Sequence, residues 1–151
     1  MVTIEEFKNN ITKKSRLLGL DLGSKRIGIA ICDDNLSIAT PFKTINNESL
    51  NKFIDELKLI VKENNIQGII VGNPINMDGS MGKSSQSAKD FSANISKNIT
   101  IPITMWDERF SSSAAFKITN KLDTNTTNKV KNLDKNAAAF ILQGAIDFLT
   151  N

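Results

Sequence analysis

The spacing of apolar positions along the chain changes near residue 45. Before that point, three short apolar runs are separated by polar turns, which predicts three strands joined as an antiparallel meander. The runs cover residues 16–21, 26–32 and 37–44. Pro41 in the third run has no backbone N–H, so this strand is expected at an edge or a bend of the sheet.

After the meander, helical and strand patterns alternate. The expected elements are, in chain order, a helix over 50–61, a strand over 66–71, a helix over 83–97, a strand over 101–106, a helix over 111–119, a polar loop over 120–132 and a helix over 134–149. This order predicts an α/β fold with a mixed five-stranded sheet. The antiparallel three-strand meander continues into two parallel strands, with helices on both faces.

The N-terminal residues precede this pattern. Thr3 and Glu6 fit the capping box of a short helix over 3–11. Residues 1–14 are therefore interpreted as an N-terminal extension and residues 15–151 as a single domain. A chain of 151 residues can bury one apolar core without disulfides or structural metals.

Composition excludes several kinds of chemistry. The chain has no histidine and one cysteine, which excludes His-based nucleophilic catalysis, His-ligated zinc and an internal disulfide. A single cysteine and the absence of any apolar run near the ~20 residues of a membrane helix favour a cytoplasmic protein. The net charge of +3 permits a polyanionic partner without requiring one.

Carboxylates stand where the predicted sheet can bring them together. Asp21 ends the first strand, Asp107 and Glu108 follow the last strand, and Asp134 opens the last helix. The carboxyl ends of parallel strands meet at one edge. Such a cluster repels itself unless a cation neutralises it, and oxygen ligands suit Mg²⁺ or Mn²⁺. Two such ions can activate water and stabilise the leaving oxygen of a phosphodiester.

Each acidic position also has a purely structural interpretation. Asp21 could start a turn, the segment 107–109 could form an internal ion pair, and Asp134 could cap its helix. The joint placement of these residues, more than any one of them, indicates a metal site.

Four segments resemble the YqgF (RuvX-like) family in order and spacing. They are LGLDLGSKRIGIAICDD, VGNPINMDGSMG, WDERFSS and DKNAAAFILQGAIDFL, and the resemblance covers about residues 15–150. These proteins are described as Holliday junction resolvases and as pre-16S rRNA processing nucleases. The resemblance implies an RNase H-like fold and a cytosolic, Mg²⁺-dependent hydrolase of phosphodiester bonds in structured nucleic acid.

The resemblance also implies site residues. Asp21, Glu108 and Asp134 match the three family acids as metal ligands and catalytic residues. Asp107 is the alternative to Glu108, because neighbouring strand residues point to opposite faces and only one is expected to reach the metals. The nucleic-acid contacts implied or expected are Lys25, Arg26 and Arg109, with a solvated turn as the alternative for the first two.

A glycine-rich loop over 72–85 ends in Gly82-Lys83-Ser84, as a nucleotide-binding P-loop does. That motif requires glycine five residues before Gly82, where this chain has Met77. The loop is better interpreted as a turn into a helix N-terminus, which favours an anion. A phosphate of the nucleic acid is expected at Gly79, Ser80, Gly82, Lys83 and Ser84; the alternative is a helix start without a ligand.

Two other functions remain open at this stage. An actin-like or sugar-kinase ATPase would use a similar Asp-Leu-Gly turn, but it needs a second, duplicated domain. A catalytically inert factor that binds rRNA or a DNA junction would keep the acids only as structure. The sequence does not choose between RNA and DNA, or between a monomer and a homodimer, although two symmetric cuts in a junction would require a dimer.

Overall fold

A five-stranded mixed sheet forms the centre of the molecule. The computed structural model describes residues 1–12, 14–76, 78–110 and 126–151, with the backbone alone at 110 and 126–134. The strand order is β3-β2-β1-β4-β5. The strands are β1 (Leu17–Leu22), β2 (Arg26–Cys32), β3 (Ala39–Asn46), β4 (Gly68–Asn73) and β5 (Ile103–Asp107). β1, β2 and β3 pair antiparallel, whereas β1, β4 and β5 pair parallel, which confirms the predicted α/β sheet.

Helices flank this sheet on both faces. They are α1 (Ile4–Asn10), α2 (Leu50–Glu63), α3 (Lys83–Asn98) and α4 (Thr126–Leu149), and a short 3₁₀ helix (Glu108–Phe110) follows β5. Side-chain oxygens cap two of them: Thr3 accepts from the N–H of Glu6 at 3.2 Å, and Ser49 accepts from the N–H of Lys52 at 3.4 Å.

The start of α4 differs from the sequence prediction. The helix begins at residue 126, so part of the segment predicted as a polar loop is helical. The polar sequence shows no apolar period, but each residue added to an existing helix gains a backbone hydrogen bond at little further cost. The rest of that loop and the helix predicted over 111–119 lie outside the described residues.

The two faces of the sheet carry separate apolar cores. Side chains alternate along β1, so that Leu17 and Gly19 face α1 and α4 while Leu18 and Leu20 face α2 and α3. This alternation also places Asp21 on the α4 face, because it follows Leu17 and Gly19 at a spacing of two.

Helix α4 lies unusually close to the sheet at Gly19. A Cβ atom at this position would lie 2.7 Å from Cβ of Leu142 and 2.9 Å from the carbonyl oxygen of Ala138. Because both neighbours belong to the helix itself and not to the end of a flexible side chain, only glycine fits. The contact therefore fixes α4 beside the end of β1 where Asp21 lies.

Strand β3 is the edge strand on the meander side, as Pro41 predicted. Its pairing with β2 is irregular: Ile29 pairs with Lys43 and Ala30 with Pro41, so Phe42 is an extra, bulged residue. Phe42 is also 38% exposed. The edge is therefore not a regular row of hydrogen-bonding groups.

Helix α1 packs into the same core as the domain that follows it. Phe7 is fully buried, and its ring lies against Gly68 at the start of β4. The N–H of Val2 donates to the carbonyl of Ile103 at 2.9 Å, which ties the N-terminal segment to β5. None of the described helices has the length and apolar character to span a membrane.

Replacement of Phe7 by alanine should lower the free energy of unfolding by about 3–5 kcal/mol, because it empties a fully buried aromatic site. Urea denaturation followed by circular dichroism measures this. The exposed Asn9 on the same helix gives a matched control, and Asn9→Ala should change the value by no more than about 0.5 kcal/mol. Equal effects of the two substitutions would show that α1 is only loosely attached.

Candidate active site

Two acidic side chains meet at the carboxyl edge of the parallel strands. Asp21 lies near the end of β1, and Glu108 lies in the 3₁₀ turn after β5. The strand between them, β4, presents Gly72 at this level, and a Cβ there would lie 2.7 Å from Oε1 of Glu108. The missing side chain leaves room for Glu108 to extend over β4 and form a hydrogen bond with Asp21.

The environment of Glu108 favours its protonated form. Burial raises its pKa to about 7, and the charge of Asp21, the hydrogen bond with Asp21 and the charge of Asp107 act in the same direction. Two carboxyl groups this close cannot both ionise readily without a cation between them. The pair is therefore an all-oxygen donor set in which ionisation of both groups at once is unfavourable.

Asp107 faces away from this pair. It lies opposite Asn73 in the β4–β5 register, and the Asn73 side chain accepts from Ser85 of α3 at 2.6 Å, on the other face of the sheet. The Asp107 carboxylate accepts hydrogen bonds from the guanidinium of Arg109, which keep its pKa below the usual range. Of the two adjacent acids, the structure brings Glu108 and not Asp107 to Asp21.

The third predicted acid, Asp134, lies in α4 about one turn ahead of Ala138, which packs beside Gly19. The Asp134 side chain lies outside the part of the chain that is described, so its participation stays a prediction. Among the side chains that are described, no group of three or more acidic, histidine or cysteine residues could hold a metal ion.

The glycine-rich loop after β4 is closed by its own hydrogen bonds. The N–H of Gly79 donates to the carbonyl of Asn76 at 2.8 Å, and the N–H of Ser80 donates to the carboxylate of Asp78 at 2.9 Å. Gly79 has a φ of +89°, a conformation that favours glycine. The N–H groups of Gly79 and Ser80, predicted as phosphate donors, thus serve the loop itself.

The remaining loop residues lie at the start of α3. Gly82 is the N-cap, without a side-chain hydrogen bond, and Lys83 and Ser84 belong to the first helical turn. Together with the β1–β2 turn around Ser24, the last two residues line a cavity of about 300 Å³. The exposed Lys25 belongs to the same β1–β2 turn.

Arg26, the second residue of the predicted basic pair, begins β2 and is half-buried. Gly72 was not predicted as a site residue from the sequence. Its only signal there is a glycine at the end of a buried apolar run, and its importance depends on a neighbouring strand.

The fold belongs to the RNase H-like class. RuvC from Thermus thermophilus has a TM-score of 0.55 to this structure, with 7% sequence identity, 87% of this chain covered and 93% of that chain. The same enzyme in complex with a Holliday junction substrate has a TM-score of 0.52, with 9% identity and coverage of 91% and 96%.

Sequence comparison defines the family more closely. The model of the RuvX family, described as Holliday junction resolvase, matches residues 15–148. This chain belongs to that family, which confirms the resemblance of the four motifs. A protein of Pelagibacter ubique (strain HTCC1062) named "Putative pre-16S rRNA nuclease" is 62% identical over 151 residues, the full length of both chains. A protein of Ruegeria pomeroyi with the same name is 43% identical over 149 residues, covering 99% of this chain and 97% of its own.

Gly72→Ala should displace Glu108 while leaving the fold intact, because the new Cβ would meet only the ends of the flexible Glu108 and Ile141 side chains. The pKa of Glu108 should then fall from about 7 toward its ordinary value of 4.5. Carbon-13 NMR titration of the side-chain carboxyl groups in chelator-treated protein measures this. Gly82→Ala is the control and should leave the pKa of Glu108 unchanged, since its Cβ would lie at an ordinary 3.6 Å from Asn76. An unchanged pKa of Glu108 in Gly72→Ala would contradict the placement of Glu108.

Metal-free protein should lose stability as the pH rises from about 4.5 to 7. The folded state keeps a proton on Glu108 that the unfolded chain has already released, so the raised pKa stabilises the fold only below this window. Asp21→Asn removes the neighbouring charge and should flatten the decline, as measured by urea denaturation at several pH values.

Asp33→Asn provides the control for this pH series. Hydrogen bonds from the Ile38 N–H and from Ser37 lower the pKa of Asp33 to about 2, so this group stays ionised throughout the window. Its replacement should leave the slope unchanged. The same slope in Asp21→Asn as in the unmodified protein would show that Asp21 does not act on Glu108.

Proposed function

We propose that this protein is a metal-dependent endonuclease that hydrolyses phosphodiester bonds in structured nucleic acid. The observation that carries the proposal is the pairing of Asp21 and Glu108 over Gly72, at the carboxyl edge of an RNase H-like sheet. A chain without histidine has few other groups for such hydrolysis. Membership of the RuvX family and the nuclease names of its relatives support the same reaction.

The carboxyl pair fits a divalent cation such as Mg²⁺ or Mn²⁺. All donors are oxygens, and a cation would replace the shared proton and balance both charges. Asp21 and Glu108 would hold the metal, with Asp134 as the third ligand and with one or two ions at the site. When bound, such ions lower the pKa of a water molecule and stabilise the charge on the leaving oxygen.

The protein's own contribution is to hold the nucleic acid beside these acids. We propose that Lys25 and Arg26 contact phosphates on one side and that Lys83 and Ser84, at the positive end of α3, contact them on the other. Gly82 leaves this helix start without a side-chain cap. Gly79 and Ser80, whose N–H groups are engaged within their loop, would shape the approach to α3.

Pre-16S rRNA, cut near its 5′ end, is the first substrate that we propose, in the cytoplasm. The name of the relative that is 62% identical over the full chain supports this choice. Holliday junction DNA is the alternative substrate, supported by the description of the family model. Resolution of a junction needs two symmetric cuts and hence a homodimer, whereas cutting one RNA strand needs only a monomer.

Asp21→Asn should reduce Mg²⁺-dependent cleavage by at least about 100-fold. Even residues that only support metal ligands contribute about 10–100-fold, so loss of a ligand should cost no less. Cleavage of labelled pre-16S rRNA and of a four-way DNA junction, assayed side by side with Mg²⁺ or Mn²⁺, measures this.

Asp90→Asn is the matched control, because it makes the same chemical change at an exposed position of α3. This variant should cleave the RNA and DNA substrates at the same rate as the unmodified protein. If the unmodified protein binds both substrates yet cuts neither at any metal concentration, it is a nucleic-acid-binding factor and the nuclease proposal fails. Cleavage that survives in Asp21→Asn would show that the metal ligands are wrongly assigned.

A further inference from the structure

We propose that Asp107 and Arg109 form a positioning pair that aims Glu108 at Asp21. Through this orientation the pair sets the metal affinity of the site. The effect on metal affinity rests on the proposed function, whereas the effect on the orientation of Glu108 does not.

The contacts between Asp107 and Arg109 enclose the residue between them. The backbone N–H of Arg109 donates to Oδ1 of Asp107 at 3.0 Å. Nε of Arg109 lies 3.0 Å from both carboxylate oxygens, and Nη2 lies 2.6 Å from Oδ2. The 3₁₀ turn is only three residues long and has little stability of its own. These bonds fix its first peptide units and thereby the direction in which Glu108 leaves the chain.

Arg109 also connects this turn to the loop after β4. A Cβ at Gly79 would lie 3.7 Å from Nη1 of Arg109. Hydrogen bonds from Ser80 lower the pKa of Asp78, and the positive charge of Arg109 acts in the same direction. The Asp78 carboxylate in turn accepts from the Ser80 hydroxyl at 2.6 Å. Arg109 thus links the turn that carries Glu108 to the loop after β4.

This geometry favours positioning over the phosphate contact that the sequence predicted for Arg109. Nε donates to Oδ1 of Asp107 and Nη2 to Oδ2, and this two-pronged ion pair is stronger than a single hydrogen bond. A phosphate would have to compete with a carboxylate that is already in place. Glu108, in contrast, depends on the pair for its orientation over Gly72.

Mn²⁺ titration of the full-length protein without nucleic acid, followed by electron paramagnetic resonance, tests the effect on the metal. Arg109→Ala and Asp107→Asn should each weaken Mn²⁺ binding by about 10-fold or more. The double variant should be little worse than either single one, since both remove the same interaction. Arg109→Lys keeps the positive charge but loses the planar guanidinium that bonds both carboxylate oxygens, so this variant should also bind Mn²⁺ more weakly.

Lys43→Ala is the control, because it removes the exposed Lys43–Glu56 ion pair, 2.7 Å long, on the opposite side of the sheet order. It should leave Mn²⁺ affinity unchanged. Arg109→Ala could instead keep its Mn²⁺ affinity and lose affinity for nucleic acid, with the slope of log affinity against log salt concentration reduced by about one. That result would identify Arg109 as a phosphate contact and overturn the proposal.

A crystal structure of metal-free Arg109→Ala tests the orientation independently of function, and Arg109→Lys substitutes if the alanine variant does not fold. In this variant the Glu108 carboxylate should no longer lie over Gly72. A carboxylate that stays over Gly72 would overturn the proposal, even in a protein that binds no metal. Failure of the unmodified protein to bind Mn²⁺ or to cut would instead count against the proposed function, while this structural result still decides the positioning role.

Discussion

The close approach of helix α4 to the sheet is the constraint on which the other features depend. It is possible because two glycines of the sheet carry no side chains: Gly19 on β1, which faces Leu142, and Gly72 on β4, which faces Ile141. The same approach closes the core on this face. Asp21 and Glu108, at the carboxyl edge of the sheet, are partly shielded from water. Packing and electrostatics are therefore set by the same pair of glycines.

The site is built at some cost to the fold. Burial of Glu108 beside Asp21 disfavours the ionised form that a metal site requires, and the apolar cores on both faces offset this unfavourable arrangement. Proteins commonly accept such local destabilisation where function requires it. The two neighbouring acids have different surroundings: Asp107 forms an ion pair with Arg109 of the same chain, whereas Glu108 lies beside the carboxyl group of Asp21.

Sequence patterns predicted the sheet well because most elements have a clear period. β2 has the predicted bounds, and α2 and α3 begin at the predicted residues, 50 and 83. The early start of α4 was missed because its first four residues are polar and Val130 is the only apolar residue before Leu133. Because neighbouring residues of a strand point to opposite faces, only one of Asp107 and Glu108 could be expected to reach the metal site. The contribution of Gly72 could not be predicted, since it depends on the register of three strands that are distant in sequence.

Strand β3 has a consequence for self-association. A regular free edge invites a second copy to extend the sheet, the route by which many β proteins aggregate. Here the proline at 41 and the bulge at 42 interrupt the row of donors and acceptors that such an addition would need. A second copy of the chain is accordingly not expected to extend the sheet by pairing with β3.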